Sequence, residues 1–106
     1  MTSKLSTTTD PDWLDNDHAG DLLLSEFLEP LDMTVEALAD AIAMNAEHIR
    51  LVIDGQKRMD AELDLRLGRY FGMSEGFFLR LQDSYELLEA KRSLNGELDR
   101  IVQRAA

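Results

Sequence analysis

The sequence has no cysteine, so neither a disulfide framework nor a thiolate metal site can be built from it. Its two histidines, His18 and His48, lie far apart and lack the paired spacing of a metal site, and no metal or cofactor is expected. Only two prolines occur and 44% of the residues are hydrophobic, a composition that excludes wholesale disorder. No apolar run approaches the ~18 residues of a membrane-spanning helix. The opening stretch MTSKLSTTTDPDWLDND lacks the apolar core of an export signal. No membrane association is expected, and a cytoplasmic setting is the default. Catalysis is also poorly provided for, with no cysteine nucleophile, no Ser/His/Asp spacing and no glycine-rich phosphate loop. The chain reads as a non-enzyme.

Positive charge is scarce as well. Eleven Lys and Arg stand against 21 Asp and Glu, for a net charge of −10 and a pI near 4.4. Phosphate neutralisation by Lys and Arg supplies most non-specific affinity for nucleic acid, so the total argues against such a partner. The distribution argues otherwise. Residues 19–42 carry six acids and no base, whereas residues 43–58 carry Arg50, Lys57 and Arg58 against Glu47 and Asp54. This window, which contains NAEHIRLVIDGQKR, is the one with a positive balance.

What the chain does have is helical periodicity. At 106 residues it has the length of one domain. Residues 1–17 are polar and Thr-rich and read as a flexible arm in which the Trp13-Leu14 pair stands out; residues 18–106 form the domain. Leu22, Leu23 and Phe27 predict a first helix ending near Pro30. Thr34 caps a second helix with Val35, Leu38, Ala39 and Ile42 on one stripe. Ala43, Met44 and Asn45 then turn the chain before Ile49, Val52 and Ile53 resume the period, with Gly55 as a left-handed stop. A cap, a short helix, a tight turn and another short helix make a helix-turn-helix candidate. Asp60 is expected to cap a fourth helix with Leu63, Leu65, Leu67, Tyr70 and Phe71 mostly in the core. Ser74 is expected to cap a longer fifth, and Asn95-Gly96 to separate it from a frayed helix over residues 97–104.

The run HAGDLLLSEFLEPLDMTVEALADAIAMNAEHIRLVIDGQKR, His18 to Arg58, resembles the HigA-type (VapI-like) antitoxins of the Xre/Cro helix-turn-helix superfamily. LRLGRYFGMSEGFFLRLQDSYELLEAKR, Leu65 to Arg92, is similar to that family's leucine-rich helix, Phe-Gly turn and aromatic-rich helix. The resemblance implies an all-α, five-helix, lambda-repressor-like DNA-binding domain with an extended C-terminal helix. It also implies a homodimer that represses its own operon on double-stranded DNA and pairs with a HigB-type mRNA-cleaving toxin. The sequence departs from the pattern at three places. Val35 stands where a phosphate-binding glutamine is common, Asp54 where asparagine is usual, and Glu47 adds negative charge to the groove face. These departures keep open a second reading, an acidic protein-binding module whose DNA affinity has weakened.

In a helix-turn-helix the second helix enters the major groove and the first crosses the phosphate backbone. Spacing leaves Asn45, Ala46, Glu47, His48, Arg50 and Leu51 as candidate base contacts. Arg50 heads the set because its guanidinium fork matches guanine O6 and N7. Thr34, Val35, Gln56, Lys57 and Arg58 are the candidate phosphate contacts, the first two through a helix N-terminus. Phe77, Phe78, Leu81, Tyr85 and Leu88 exceed what one buried stripe needs and are candidates for a two-fold dimer interface; packing into the chain's own core is the competing reading. The acidic residues 1–42 are a candidate surface for a basic toxin.

Overall fold

A computed structural model describes residues 16–105 of the chain. Those residues contain five helices and a short 3-10 turn, with no strand among them. The expectation for Trp13-Leu14 lies outside the described residues. At the inner end of the expected arm, Asn16 donates its side-chain amide to the Tyr85 carbonyl at 2.9 Å and to Glu89 at 3.1 Å.

Helix α1, Ala19–Leu22, opens on a reciprocal cap: His18 Nδ1 accepts from the Asp21 N–H, and the Asp21 carboxylate accepts from the His18 N–H. It widens into a π-helical stretch, Leu23–Leu28. That wider turn lines up Leu23 and Leu28, five residues apart, and both are fully buried. Helix α2, Val35–Ile42, is capped by Thr34, whose hydroxyl accepts from the Ala37 N–H at 3.0 Å. Ala43 ends it in the left-handed region at φ 57°, and α3, Ala46–Ile53, begins after Asn45. Helix α4, Ala61–Phe71, follows the Asp60 cap, and α5 spans Phe77–Leu94.

One core joins these elements: Leu23 and Leu28 meet Leu38 and Ile42 of α2, Ile49 and Val52 of α3, Met59 just before α4, Leu63 and Leu67 of α4, and Phe78 of α5. Phe27 packs against Phe71 and Phe78 at ring-centroid distances of 4.9 and 5.2 Å. Helix α1 approaches α3 so closely that Gly20 lies against the backbone of Val52 and Ile53. A Cβ there would stand 2.0 Å from the Val52 carbonyl oxygen. This contact sets the position of α3 and requires glycine on sterics alone.

The fold corrects several expectations. Helix α5 is not capped by Ser74. Its N-cap is Gly76, at φ 88°, and the N–H groups of Gly76, Phe78 and Leu79 donate to the buried carboxylate of Asp64, a residue of α4. Leu65 and Tyr70, expected in the core, are 48% and 47% exposed on the outer side of α4. The segment after Asn95-Gly96 is a 3-10 turn, Glu97–Arg100, followed by extended chain from Ile101. Phe78 is completely buried within the single chain, so it is a core residue and offers no surface to a second copy.

Candidate nucleic-acid interface

The α2–turn–α3 unit is organised by two caps and one charged side chain. Asn45 caps α3, its Oδ1 accepting from the Glu47 N–H at 2.7 Å. At the other end of the turn, Arg66 from α4 donates through Nη1 to the carbonyls of Ile42 and Ala43, at 2.8 and 3.2 Å. Those carbonyls at the end of α2 would otherwise lack partners. Arg66 also bonds Glu62 at 3.0 Å, so it braces the turn and is not a free cation.

With Ile49 and Val52 in the core, the opposite face of α3 is left outward. Asn45 and Glu47 are exposed, while Ala46, His48 and Leu51 are half-buried. Arg50, the one arginine or lysine in α3, retains 43% side-chain exposure and is ion-paired to Glu36 of α2, with Glu47 at a looser 3.7 Å. His48 lies flatter against the domain. Its Nδ1 faces the Lys57 ammonium at 3.3 Å and its Nε2 lies 2.9 Å from an Asp60 carboxylate oxygen. Because an ammonium can only donate, Nδ1 accepts and Nε2 carries the proton given to Asp60.

The candidate phosphate contacts divide into two groups. Thr34, Gln56 and Lys57 are exposed at the two ends of the unit. The Val35 side chain packs against the core, so that only its main chain, in the first turn of α2, stays a candidate for a phosphate. Arg58 is turned onto α5. It donates through Nε and Nη2 to both oxygens of Glu86, at 2.8 and 3.1 Å, and through Nη2 to Asp83 at 3.1 Å. The Glu86 hydrogen bond pushes the Arg58 pKa up. The same bond, helped by one from Gln82, holds the Glu86 carboxyl below its ordinary range. Gln82 is itself buried and accepts from the Ala19 N–H, so Arg58 belongs to a network joining the end of α3, α5 and the start of α1.

Of the remaining candidates for pairing two copies, Phe77 and Leu81 pack partly on the core and Tyr85 meets the His18 ring edge-on at 5.7 Å. Leu88 is half-buried. From α5 onward, the large apolar side chains left open are Leu87, Leu98, Ile101 and Val102, between 48% and 87% exposed. Sequence reasoning missed Glu36, Asp64 and Glu86 as the partners of Arg50, the α5 N-terminus and Arg58. All three pairings join different elements, and no spacing rule within one helix reports them.

A capped short helix, a braced three-residue turn and a second capped helix with an outward arginine define the helix-turn-helix class of DNA-binding regulators. No family model matches the chain. It is 35% identical over 81 residues to Virulence-associated protein I of Dichelobacter nodosus, covering 74% of this chain and 75% of that one. It is 32% identical over 84 residues to the HTH-type transcriptional regulator YbaQ of Escherichia coli, covering 77% and 74%. Among solved structures, the Pseudomonas aeruginosa antitoxin HigA with the higBA promoter superposes with a TM-score of 0.75 at 29% identity, covering 87% of this chain and all of that one. The chain belongs to the HigA-type, VapI-like family of helix-turn-helix regulators.

Proposed function

We propose that this protein is a sequence-specific DNA-binding repressor of its own operon and the antitoxin partner of a HigB-type toxin. The observation that carries the reading is Arg50, placed outward on α3 in a domain that matches an antitoxin solved on its promoter. Guanine recognition by Arg50 accounts for sequence choice, with Thr34, the α2 backbone and Lys57 holding phosphates on either side. Two copies related by a two-fold axis would span successive half-sites about one helical turn apart. The exposed Leu87, Leu98 and Ile101 are the surface on which those copies meet. The groove between α2 and α4, lined by Ala41, Ile42, Ala43, Leu65, Arg66, Arg69 and Tyr70, holds no carboxylate, histidine or hydroxyl nucleophile among these side chains beyond the Tyr70 phenol. It suits contact better than chemistry.

The test is a gel shift on DNA from upstream of the protein's own reading frame, beside a scrambled duplex. Specific retention is expected, and Arg50→Ala should weaken it about 5- to 150-fold, the range for losing one bidentate base contact. Equal retention of both duplexes would overturn the reading.

A further inference from the structure

We propose that Glu36 is a positioning residue that presents Arg50 to the major groove, so that a carboxylate on the DNA-facing side strengthens operator recognition. The inference rests on the DNA-binding reading above and adds to it a residue outside the recognition helix. Arg50 is the one Lys or Arg of α3, and its long side chain would otherwise sample many rotamers. Glu36, in the first turn of α2, is bound to its Nη2 from the neighbouring helix. That anchor fixes the far end of the side chain relative to both helices of the unit.

The donor count leaves the reading edge open. A guanidinium carries five N–H donors, and a carboxylate oxygen that takes one hydrogen of Nη2 leaves the other beside those of Nη1, an end-on pair that can meet guanine O6 and N7. The second neighbour, Glu47, stands 3.7 Å from Nη1, beyond hydrogen-bond distance, so it can give way to a base without breaking a bond. Stability does not explain the Glu36 contact, because both side chains are largely solvated, 43% and 65% exposed, and such pairs contribute little to folding. Electrostatics alone would make it harmful, since a carboxylate beside the groove repels phosphates. Orientation of Arg50 is the role that remains.

These views predict opposite signs. Binding to the upstream duplex and to scrambled DNA is measured by fluorescence anisotropy for the wild type, Glu36→Ala, Glu36→Gln, Arg50→Ala and the Glu36→Ala/Arg50→Ala double variant, with circular dichroism melts as the folding control. Glu36→Ala is expected to weaken the upstream complex about 2- to 12-fold, the effect of freeing one rotamer-rich side chain. Its affinity for scrambled DNA should stay level or tighten. Glu36→Gln, which keeps an oxygen for Nη2, should recover part of the loss. In the Arg50→Ala background, removing Glu36 should no longer weaken binding. Tightening of both duplexes by the same factor in Glu36→Ala, with or without Arg50, would overturn the assignment while leaving the repressor reading intact. A wild type that fails to distinguish the duplexes would remove the repressor reading and this assignment together.

Discussion

Asp64 offers the sharpest test of how the fold is held. It lies in α4, is 1% exposed, and accepts from the N–H groups of Gly76, Phe78 and Leu79 at 2.7, 2.8 and 3.1 Å. Those donors open α5, and the intervening Phe77 N–H is taken by the Ser74 carbonyl at 3.1 Å. Asp64→Ala would leave three donors without partners, that of Phe78 buried and those of Gly76 and Leu79 half-buried. Hydrogen bonds to a charged group contribute about 1.5–3 kcal/mol each, which sets an additive ceiling near ~9 kcal/mol. A single lost helix cap costs about 0.5–2 kcal/mol, which sets the floor. Water entering the gap and slight unwinding of α5 will recover part of the ceiling, so about 3–5 kcal/mol is expected. For a domain of this size that is a fall in Tm of at least about 12 °C. Asp64→Asn keeps one acceptor oxygen but turns an NH2 group toward donors, and should lose about 2–3 kcal/mol. Urea titration followed at 222 nm is the assay, with an unchanged m-value showing that the same surface unfolds. A loss below about 1 kcal/mol for Asp64→Ala would refute the claim that this carboxylate ties α4 to α5.

Four further outcomes follow from single positions or patches. Gly20→Ala should destabilise the domain by more than about 3 kcal/mol, because its Cβ would meet the Val52 carbonyl oxygen at 2.0 Å. Gly72→Ala, at φ 74° with nothing within 4 Å, should lose only about 1 kcal/mol of backbone strain in the same melt. For Glu86, bonding to Arg58 lowers the folded pKa below the ordinary 4.5, so the pair's contribution is present above that value and is lost as the pH falls through the depressed one. Glu86→Gln should therefore melt slightly below the wild type at pH 7, by under about 1 kcal/mol given its solvent exposure, and the two curves should converge as the pH falls below the depressed value; a gap that persists at low pH would contradict the assignment. Leu87→Glu combined with Ile101→Glu should shift the chain toward monomer in light scattering while keeping its helical circular dichroism spectrum, since both side chains are exposed in the single chain.

The local signals were legible because each is a short-range physical device. Thr34 and Asp60 cap their helices through oxygens that reach a backbone N–H three residues on, and Gly55 and Gly72 take the positive φ that ends a helix. The buried stripe of Leu38, Ala39 and Ile42 follows from the helical period in the same way. Where the reading failed, distance along the chain was the reason. Ser74 was the nearest capping residue before the aromatic helix, but a carboxylate twelve positions upstream of Gly76 takes the role, because the contact of α4 with α5 carries Asp64 to the open donors. Leu65 and Tyr70 lie on α4 beside true core residues, and composition cannot say how wide the buried face is.

The charge pattern was legible only as far as location. Segregation along the chain places Arg50, Lys57 and Arg58 at the end of the helix-turn-helix, yet the fold gives each a different partner: Glu36, His48 and Glu86. A cation already paired within the protein adds little net attraction for a phosphate, because the carboxylate it leaves behind faces the same polyanion. The interface is therefore not a free basic patch on an acidic body. Arg50 and Arg58 are each paired with carboxylates, Arg58 being committed to α5, while Lys57 keeps its charge, exposed beside His48. Under the proposed reading, such a face suppresses affinity for arbitrary DNA and makes discrimination depend on how well the guanidinium of Arg50 is aimed at a base edge. The same acidic residues that make the chain look unsuited to DNA thus favour selective binding over indiscriminate binding.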